Sequence, residues 1–400
     1  MARYARRLIF WISGSLLALL LLALLAIIVV VLTIDPDRFR GRIETAASAA
    51  IGRSVQLSGG LHWRLGWRTA IESRGGQIAN APGFGALPFA EWQSLRLGLA
   101  LRPLLRREVE LDRVELVGAR LRLQRDAGGQ VNWNFSAPPG GERDSGAARE
   151  EVKIRVGSLS LRDAALSYQD AAAARDWQLT ALELDVQLPP DLLAQRLSFA
   201  GIGLRGQASG APFAATGVPF SLRADALTVE RPAGALDVPA WSARWADAQV
   251  EGSLQARSTP APQAQGRVSM QAPSLRELLA TVSFPAPATR DARALGPLRL
   301  AAQFDWRDGA VSIEPLDVTL DDTRVSGRVA LPSVSPPAVR FELAADQVAV
   351  DRYLSPEDAP SEPFELPLAA LKALDAKGTL TIREARMLGA AAKELRIDVD

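Results

Sequence analysis

Apolar side chains occupy every second position of one short stretch, Ser94-Leu95-Arg96-Leu97-Gly98-Leu99-Ala100-Leu101-Arg102. Successive side chains of a β-strand point to opposite faces, so this alternation predicts a strand with one apolar and one polar face. The same period recurs at residues 109–111, 152–156, 182–188 and 311–313, and clusters of Gly, Pro and Asp separate these runs. The sequence therefore predicts a mainly β protein built from one-sided strands.

The alternation loses its phase between Leu111 and Val114, so we expect a bulge or turn there. A weak internal echo links residues 114–123, 159–168 and, more faintly, 378–387, and each is interpreted as a strand-turn-strand unit. Residues 394–400 alternate as a strand with no terminator after them. Because an uncovered edge strand invites association, we expect the natural architecture to continue beyond it.

An apolar run over residues 8–34 precedes all of these strands. Three arginines stand before it and an acidic cluster follows it: Arg3, Arg6, Arg7 and Asp35-Pro36-Asp37. A bilayer core of about 30 Å needs about 20 helical residues, so residues 8–34 are predicted to be a transmembrane helix. Arginines on one side only place residues 1–7 in the cytoplasm and export everything from Asp35 onward. A cleavable signal peptide is the alternative, but it needs a shorter apolar region and a small-residue cleavage site.

A membrane-proximal amphipathic helix is predicted over residues 35–52. Asp35 is a good N-cap, Pro36 a good first helical residue and Gly52 a good C-terminal stop. This helix either lies at the membrane surface or packs on the domain that follows, and the pattern fits both equally. Residues 53–400 then form the exported β domain, in which Ser274 and Glu277 make a capping-box pattern that opens one short helix.

The composition excludes several classes of function. The chain has 46 basic and 45 acidic residues, so the basic field of a nucleic-acid-binding protein is absent. One histidine and no cysteine rule out a zinc site built on those residues and a Cys-His catalytic pair. His62 is interpreted as structural, and Asp321-Asp322 as a hairpin turn rather than a calcium site. We expect no enzyme activity, no cofactor and no metal.

Several motifs, taken in order, resemble the AsmA family of bacterial envelope proteins. These motifs are Ile34-Asp35-Pro36, Ile51-Gly52-Arg53-Ser54-Val55, Gly60-Leu61-His62-Trp63, Asn80-Ala81-Pro82-Gly83-Phe84-Gly85, Leu101-Arg102-Pro103-Leu104-Leu105-Arg106 and Gly129-Gln130-Val131-Asn132-Trp133. Residues 316–327 and 345–354 extend the resemblance over most of the chain. It implies a bacterial inner-membrane helix followed by a long, curled, taco-like antiparallel β-sheet with a few short helices, related to the chorein-type lipid channels. It also implies a link to outer-membrane assembly and phospholipid movement, and family members usually run further than this chain.

The apolar strand faces admit two interpretations. They could form the core of a β-sandwich, or they could line a groove that is open along one edge. Moving a 16-carbon acyl chain into water costs on the order of 12 kcal/mol at about 0.8 kcal/mol per methylene, and an apolar groove removes most of that cost. The expected lining residues are Leu95, Leu97, Leu99, Leu101, Val109, Leu111, Val114, Leu116, Leu121, Leu123, Leu159, Leu161 and Leu166.

These observations together predict a single-pass inner-membrane protein with a cytoplasmic N-terminus and a periplasmic bulk. It would support outer-membrane biogenesis by carrying phospholipid acyl chains along the groove. The expected partners are the inner membrane, phospholipid and outer-membrane or envelope assembly proteins, with no nucleic acid. The alternatives are a periplasmic scaffold or regulator without lipid transport, and a carboxylate-based envelope hydrolase, for which the sequence offers no paired motif.

Overall fold

Strands dominate the described part of the chain, which holds 22 of them. A computed structural model describes residues 36–64, 70–99, 110–135, 155–192, 194–334, 337–355, 375–387 and 390–399. The predicted transmembrane helix, residues 8–34, and the cytoplasmic tip with Arg3, Arg6 and Arg7 lie outside these ranges. Within the described ranges, no helix combines the length and the apolarity that crossing a bilayer requires.

The chain divides into two compact units. The first comprises residues 1–116 and 133–154, and the second comprises residues 117–132 and 155–400. The first unit contains a 3-10 helix (Pro36–Phe39), helix α1 (Arg40–Ile51) and strands β1 (Val55–Gln56), β2 (Leu61–Arg64), β3 (Ala70–Ser73), β4 (Gly76–Ile78), β5 (Ala90–Trp92), β6 (Ser94–Leu99) and β7 (Glu110–Val117). Strand β4 pairs antiparallel with β1 and β5, and β3 pairs antiparallel with β2 and β6.

Helix α1 lies within the predicted range 35–52 and ends at the predicted stop, since Gly52 follows it at φ 73° and donates its N–H to Ser48 O at 2.8 Å. Its polar side chains reach the strands that follow. The Glu44 carboxylate accepts the Leu57 N–H at 2.7 Å, and the Ser48 hydroxyl accepts the Val55 N–H at 2.9 Å. These bonds satisfy strand N–H groups and attach the helix to the strands that follow it, although none of its residues is buried.

The second unit is a single open sheet. Its elements are β8 (Arg120–Arg125), β9 (Arg155–Val156), β10 (Ser158–Asp170), β11 (Arg175–Gln187), β12 (Arg196–Gly210), β13 (Val218–Glu230), β14 (Ala235–Trp245), β15 (Ala248–Arg257), β16 (Gln263–Ala272), α2 (Leu275–Thr281), β17 (Leu298–Arg307), β18 (Ala310–Leu320), β19 (Thr323–Val334), β20 (Pro337–Ala349), a 3-10 helix (Val350–Tyr353), β21 (Asp375–Met387) and β22 (Ala390–Val399). From β10 to β22 each strand pairs with the next along the chain, and among the described residues no pairing joins β22 back to β8.

The predicted antiparallel order holds with two exceptions inside this unit. Strand β10 pairs parallel with β8, and β20 pairs parallel with β21. A parallel pair needs a long crossover connection rather than a tight turn. Residues 126–157 and 350–374, which connect these pairs, supply that length.

The internal echo is only partly a structural repeat. Residues 114–123 do form a strand-turn-strand unit, with Gly118 at φ 64° between β7 and β8. The other two predictions are wrong, because residues 159–168 lie within β10 and residues 378–387 lie within β21. In β10 the pairing shifts register around Asp163, which has φ 46°, so a bulge absorbs the break in alternation without reversing the chain.

Two local predictions in the second unit are confirmed. The Ser274 side chain accepts the Glu277 N–H at 3.2 Å and caps α2. Asp321 and Asp322 form the hairpin turn between β18 and β19, whose ladder closes at the Leu320–Thr323 pair.

Candidate functional site

One face of the second unit carries an unbroken row of apolar side chains across thirteen successive strands, β10 to β22. Residues paired across a ladder share a face, so the registers of the strand pairs define the row. Its members are Leu161, Leu184, Leu204, Leu222, Ala243, Val250, Met270, Leu300, Val318, Val325, Ala345, Ile382 and Leu395. We call this side of the sheet the apolar face.

Two further rows widen the apolar face. The first consists of Ala224, Trp241, Gly252, Val268, Ala302, Leu316, Gly327, Leu343, Leu380 and Ile397. The second consists of Val238, Leu254, Gly266, Phe304, Ile313, Val329, Phe341, Gly378 and Val399. Neither row contains a polar side chain, so the apolar face is a continuous surface and not a line of isolated residues.

The opposite side of the sheet, here called the polar face, carries charged and hydroxyl side chains. One of its rows is Arg223, Ser242, Glu251, Ser269, Ala301, Asp317, Ser326, Ala344, Thr381 and Arg396. Ion pairs connect neighbouring strands here, among them Arg324 with Asp317 and Arg328 with Glu342. Arg340 on β20 donates to Asp375 on β21 at 2.8 Å, and this hydrogen bond lowers the pKa of that carboxyl.

Register shifts keep the apolar side chains on one face where the sequence alternation breaks. Ile313 and Leu316 on β18 both lie on the apolar face although three positions separate them, because the pairing with β19 shifts between them around Pro315. Val238 and Trp241 on β14 show the same relationship. Each bulge restores the phase of the pattern, so the breaks preserve the apolar face.

No second layer covers the apolar face within the described part of this unit. The described strands belong to one sheet, in which each strand from β10 to β22 pairs with the next, whereas a sandwich packs a second sheet against the first. Most members of the three rows are only half-buried, and Leu222, Leu395 and Ile397 are 37%, 38% and 40% exposed. The sandwich interpretation is therefore wrong for this unit, and solvent reaches the apolar face.

Aromatic residues lie opposite glycines at several ladder positions. The pairs are Trp92 with Gly76, Phe220 with Gly206, Trp241 with Gly252, Phe304 with Gly266 and Phe341 with Gly378. A Cβ built on Gly252 would lie 2.7 Å from the Trp241 ring, and one on Gly266 would lie 2.9 Å from the Phe304 ring. Each ring thus lies across the neighbouring glycine, and in the four pairs of the second unit this keeps the rings from projecting far above the apolar face.

The predicted lining residues of the second unit lie on one side of its sheet. Leu161 belongs to the long row, and Leu159 pairs with Val186 two positions away on the same face. Leu121 pairs with Leu166, and Leu123 pairs with Tyr168. The apolar face continues through Leu179 and Ala208 from the Leu166 position. The prediction stopped at Leu166 and missed every lining position from β11 onward.

The first unit has an apolar side of its own. Leu97 lies in a row with Ile71 and Trp63, and Leu95 lies opposite Ser73. His62 and Glu72 pair on the other side, where His62 is exposed at the start of β2.

Strand β7 confirms the loss of phase predicted between Leu111 and Val114. Glu115 forms a 3.2 Å ion pair with Arg96, and the Asp112 carboxylate lies against the open side of Gly98. Arg96 and Gly98 share one face of β6, so Asp112 and Glu115 also share a face although three positions separate them. Leu111, Val114 and Leu116 consequently lie on the other side, with Leu95 and Leu97. The Leu99 side chain, Leu101 and Val109 lie outside the described residues.

A metal-binding cluster does not form among the residues that the structure describes. No group of three His, Cys, Asp or Glu side chains there is placed to hold a metal ion. The Asp321 carboxylate instead accepts the Leu295 and Gly296 N–H groups and the Tyr353 hydroxyl, at 3.1, 2.8 and 2.7 Å. These bonds tie the β18–β19 turn to its neighbours.

The described residues of the second unit define a class of fold: an open β-sheet with one exposed apolar face. Comparison with known protein families shows which family this chain comes from, since the AsmA family model matches residues 3–225. The chain therefore belongs to the AsmA family, and membership supports a role related to biogenesis of the bacterial envelope. No curated protein and no solved structure matches the chain.

Proposed function

We propose that this protein is anchored in the bacterial inner membrane by residues 8–34 and carries phospholipid acyl chains in the periplasm along the apolar face. The observation that supports this most strongly is the unbroken apolar row from Leu161 to Leu395, which no second layer covers among the described residues of the second unit. At about 4.8 Å per strand the row runs roughly 60 Å along the sheet. Outer-membrane biogenesis is the process that such carriage would serve.

The energetics favour this use of the apolar face. A 16-carbon acyl chain in water costs on the order of 12 kcal/mol, and contact with a continuous apolar surface offsets most of that cost at each step of the movement. The three adjacent rows make the apolar face several side chains wide. The rings of Trp241, Phe304 and Phe341 lie flat and leave no barrier across this face. Such a surface binds acyl chains because they are apolar and does not distinguish their head groups, so we expect low selectivity among phospholipids.

Movement along a surface needs no nucleophile, metal or nucleotide. We accordingly propose that the protein is not an enzyme and that head groups travel in solvent beside the sheet. The polar face stays hydrated through its cross-strand ion pairs, which keeps the single layer from associating through both sides.

Lipid analysis of matched variants tests the proposal. Leu300 and Ala301 are neighbours on β17 and point to the apolar and the polar face, respectively. Leu300→Asp should sharply reduce the phospholipid that co-purifies with the full chain in mild detergent, whereas Ala301→Asp should not. Mass spectrometry of the extracted lipid measures the difference. Equal lipid recovery from both variants and the parent would contradict lipid carriage.

A periplasmic scaffold that helps envelope proteins assemble is the second candidate. It is favoured by a cleft of about 680 Å³ on the polar face, where Arg223, Asp225, Glu251 and Arg267 offer charged contacts. A scaffold would hold its partners there and would carry no lipid. Loss of a partner from Arg223→Glu material with unchanged lipid content would favour this function.

A further inference from the structure

Two strand connections of the second unit meet at one end of the sheet and form a single connected region, here called the apolar tip. It consists of residues 211–217, between β12 and β13, and residues 278–289, from α2 toward β17. The Ala214 N–H donates to Thr281 O at 3.0 Å, and the Ser283 hydroxyl donates to Phe213 O at 3.1 Å. The Trp245 indole N–H donates to the Thr281 hydroxyl at 2.8 Å and fixes both connections to the end of β14.

The apolar tip holds no charge and exposes large apolar side chains. Residues 206–222 and 278–289 contain no charged residue, in a chain where charged residues make up 23%. Phe284 is 59% exposed and Val282 is 38% exposed. A single exposed apolar residue is ordinary, but two of them close together in an uncharged region indicate a contact with an apolar environment.

Arg276 holds the segment of the tip that carries Phe284 in place. Its guanidinium donates to the Thr289 hydroxyl at 2.7 Å and to the carbonyls of Pro287 and Ala294, each at 3.2 Å. The exposed side chains are thus presented by an ordered loop, so insertion would cost little conformational entropy.

A series of aromatic rings connects the tip with the apolar face. Phe213 in the tip lies 5.3 Å from the Trp245 ring and 6.3 Å from the Trp177 ring. Trp245 lies 6.2 Å from Phe220, and Trp177 stacks on Tyr168 at 5.1 Å. The ladder registers place these four strand residues on the apolar face. An apolar path therefore leads from the tip onto the proposed lipid-carrying surface.

We propose that the apolar tip inserts into the head-group region of a phospholipid bilayer. Exposed apolar side chains such as Phe284 and Val282 enter the boundary between head groups and acyl chains, and the exposed Arg293 that follows the tip can contact lipid phosphates. A protein partner would need directional polar contacts, which an uncharged tip offers sparsely. This inference extends the proposed function, because the tip would give lipid a route from a bilayer onto the apolar face. It rests on the proposed function only for the carriage of lipid along that face.

A matched pair of labelled variants tests this contact, since the chain has no cysteine. Ala286 and Ala261 each lie between two prolines, in the connections at opposite ends of β16. The full chain, as Ala286→Cys or Ala261→Cys carrying a nitrobenzoxadiazole label, is placed in vesicles of phosphatidylethanolamine and phosphatidylglycerol with brominated acyl chains. A second arm places it in nanodiscs of plain lipid and adds the brominated vesicles. The two arms separate contact with the anchoring membrane from contact with another one.

The label at position 286 should shift to shorter emission wavelength and be quenched by brominated lipid in at least one arm, while the label at position 261 stays unquenched. Adding Phe284→Asp should abolish the quenching and leave the unfolding transition in place. A wavelength shift without quenching would mean that protein covers the tip. No change in either arm would mean that the tip stays in contact with water. Either result would overturn the inference. Lipid recovery from the Leu300→Asp variant is a separate readout, so the tip and the apolar face can fail independently.

Discussion

Trp241 and Gly252 face each other across strands β14 and β15, and the indole ring occupies the space that a side chain at position 252 would need. The same arrangement joins Phe304 to Gly266 and Phe341 to Gly378. Glycine in a strand interior is ordinarily destabilising. Here the glycine lets the aromatic ring opposite it lie flat over the backbone of the neighbouring strand, so the ring does not project from the apolar face.

Gly252→Ala should destabilise the sheet by about 1–3 kcal/mol, the usual cost of overpacking. Its Cβ would lie 2.5 Å from Arg267 O and 2.7 Å from the Trp241 ring, so strand or ring must move. Gly203→Ala on β12 is the matched control, because nothing lies within 4 Å of a Cβ there. Urea unfolding of the two variants measures the difference, and equal stability would refute the packing role of the pair.

Leu97→Asp should abolish lipid co-purification and leave membrane insertion intact. The new carboxylate would enter the row that Leu97 shares with Ile71 and Trp63 in the first unit, and an unpaired charge there repels acyl chains. Lipid extraction and membrane fractionation measure the two effects. Unchanged lipid content in this variant would mean that the first unit takes no part in lipid carriage.

Asn132→Ala should cost about 1–3 kcal/mol, because two backbone groups would lose their partner. The Asn132 side chain is fully buried, accepts the Gln124 N–H and donates to Arg122 O, each at 2.8 Å. Asn132→Asp should not restore the loss, since a carboxylate cannot donate to that carbonyl. The exposed Asn134→Ala serves as the control in the same unfolding assay and should be near neutral. Full stability of the Asn132→Asp variant would contradict this assignment.

Tyr353 should make the stability of the protein fall at high pH. Burial and the hydrogen bond to Asp321 raise the pKa of Tyr353 to about 12. Because this lies above the unfolded value of about 10, the stabilisation is fully present below about pH 10 and is lost as the pH rises toward about 12. Unfolding curves at rising pH should therefore show the parent losing its advantage over Tyr353→Phe. A constant difference between the two across that range would contradict the shift.

Local features of this fold were predictable from sequence because each depends on nearby residues. The helix that stops at Gly52, the cap at Ser274 and the hairpin at Asp321-Asp322 are examples. Strand alternation likewise revealed one-sided strands, and the lost phase between Leu111 and Val114 revealed an irregularity.

Long-range features were not predictable, because ladder register depends on strands far apart in the chain. Nothing near Leu161 indicates that Leu184 and Leu204 will extend its row. The parallel pairing of β20 with β21 and the contact of Phe304 with Gly266 are also settled only when strands meet. The apolar tip was not predictable for the same reason, since its two segments lie far apart in sequence and are joined by hydrogen bonds of Thr281 and Ser283.

Photo-crosslinking to lipid at two adjacent positions tests lipid carriage most directly. Leu222 and Arg223 are both exposed neighbours on β13, and they point to the apolar and the polar face. A photoreactive benzoylphenylalanine at position 222 of the full chain should capture phospholipid in cells, and the same group at position 223 should not. Capture at neither position, or equally at both, would contradict carriage of acyl chains along the apolar face.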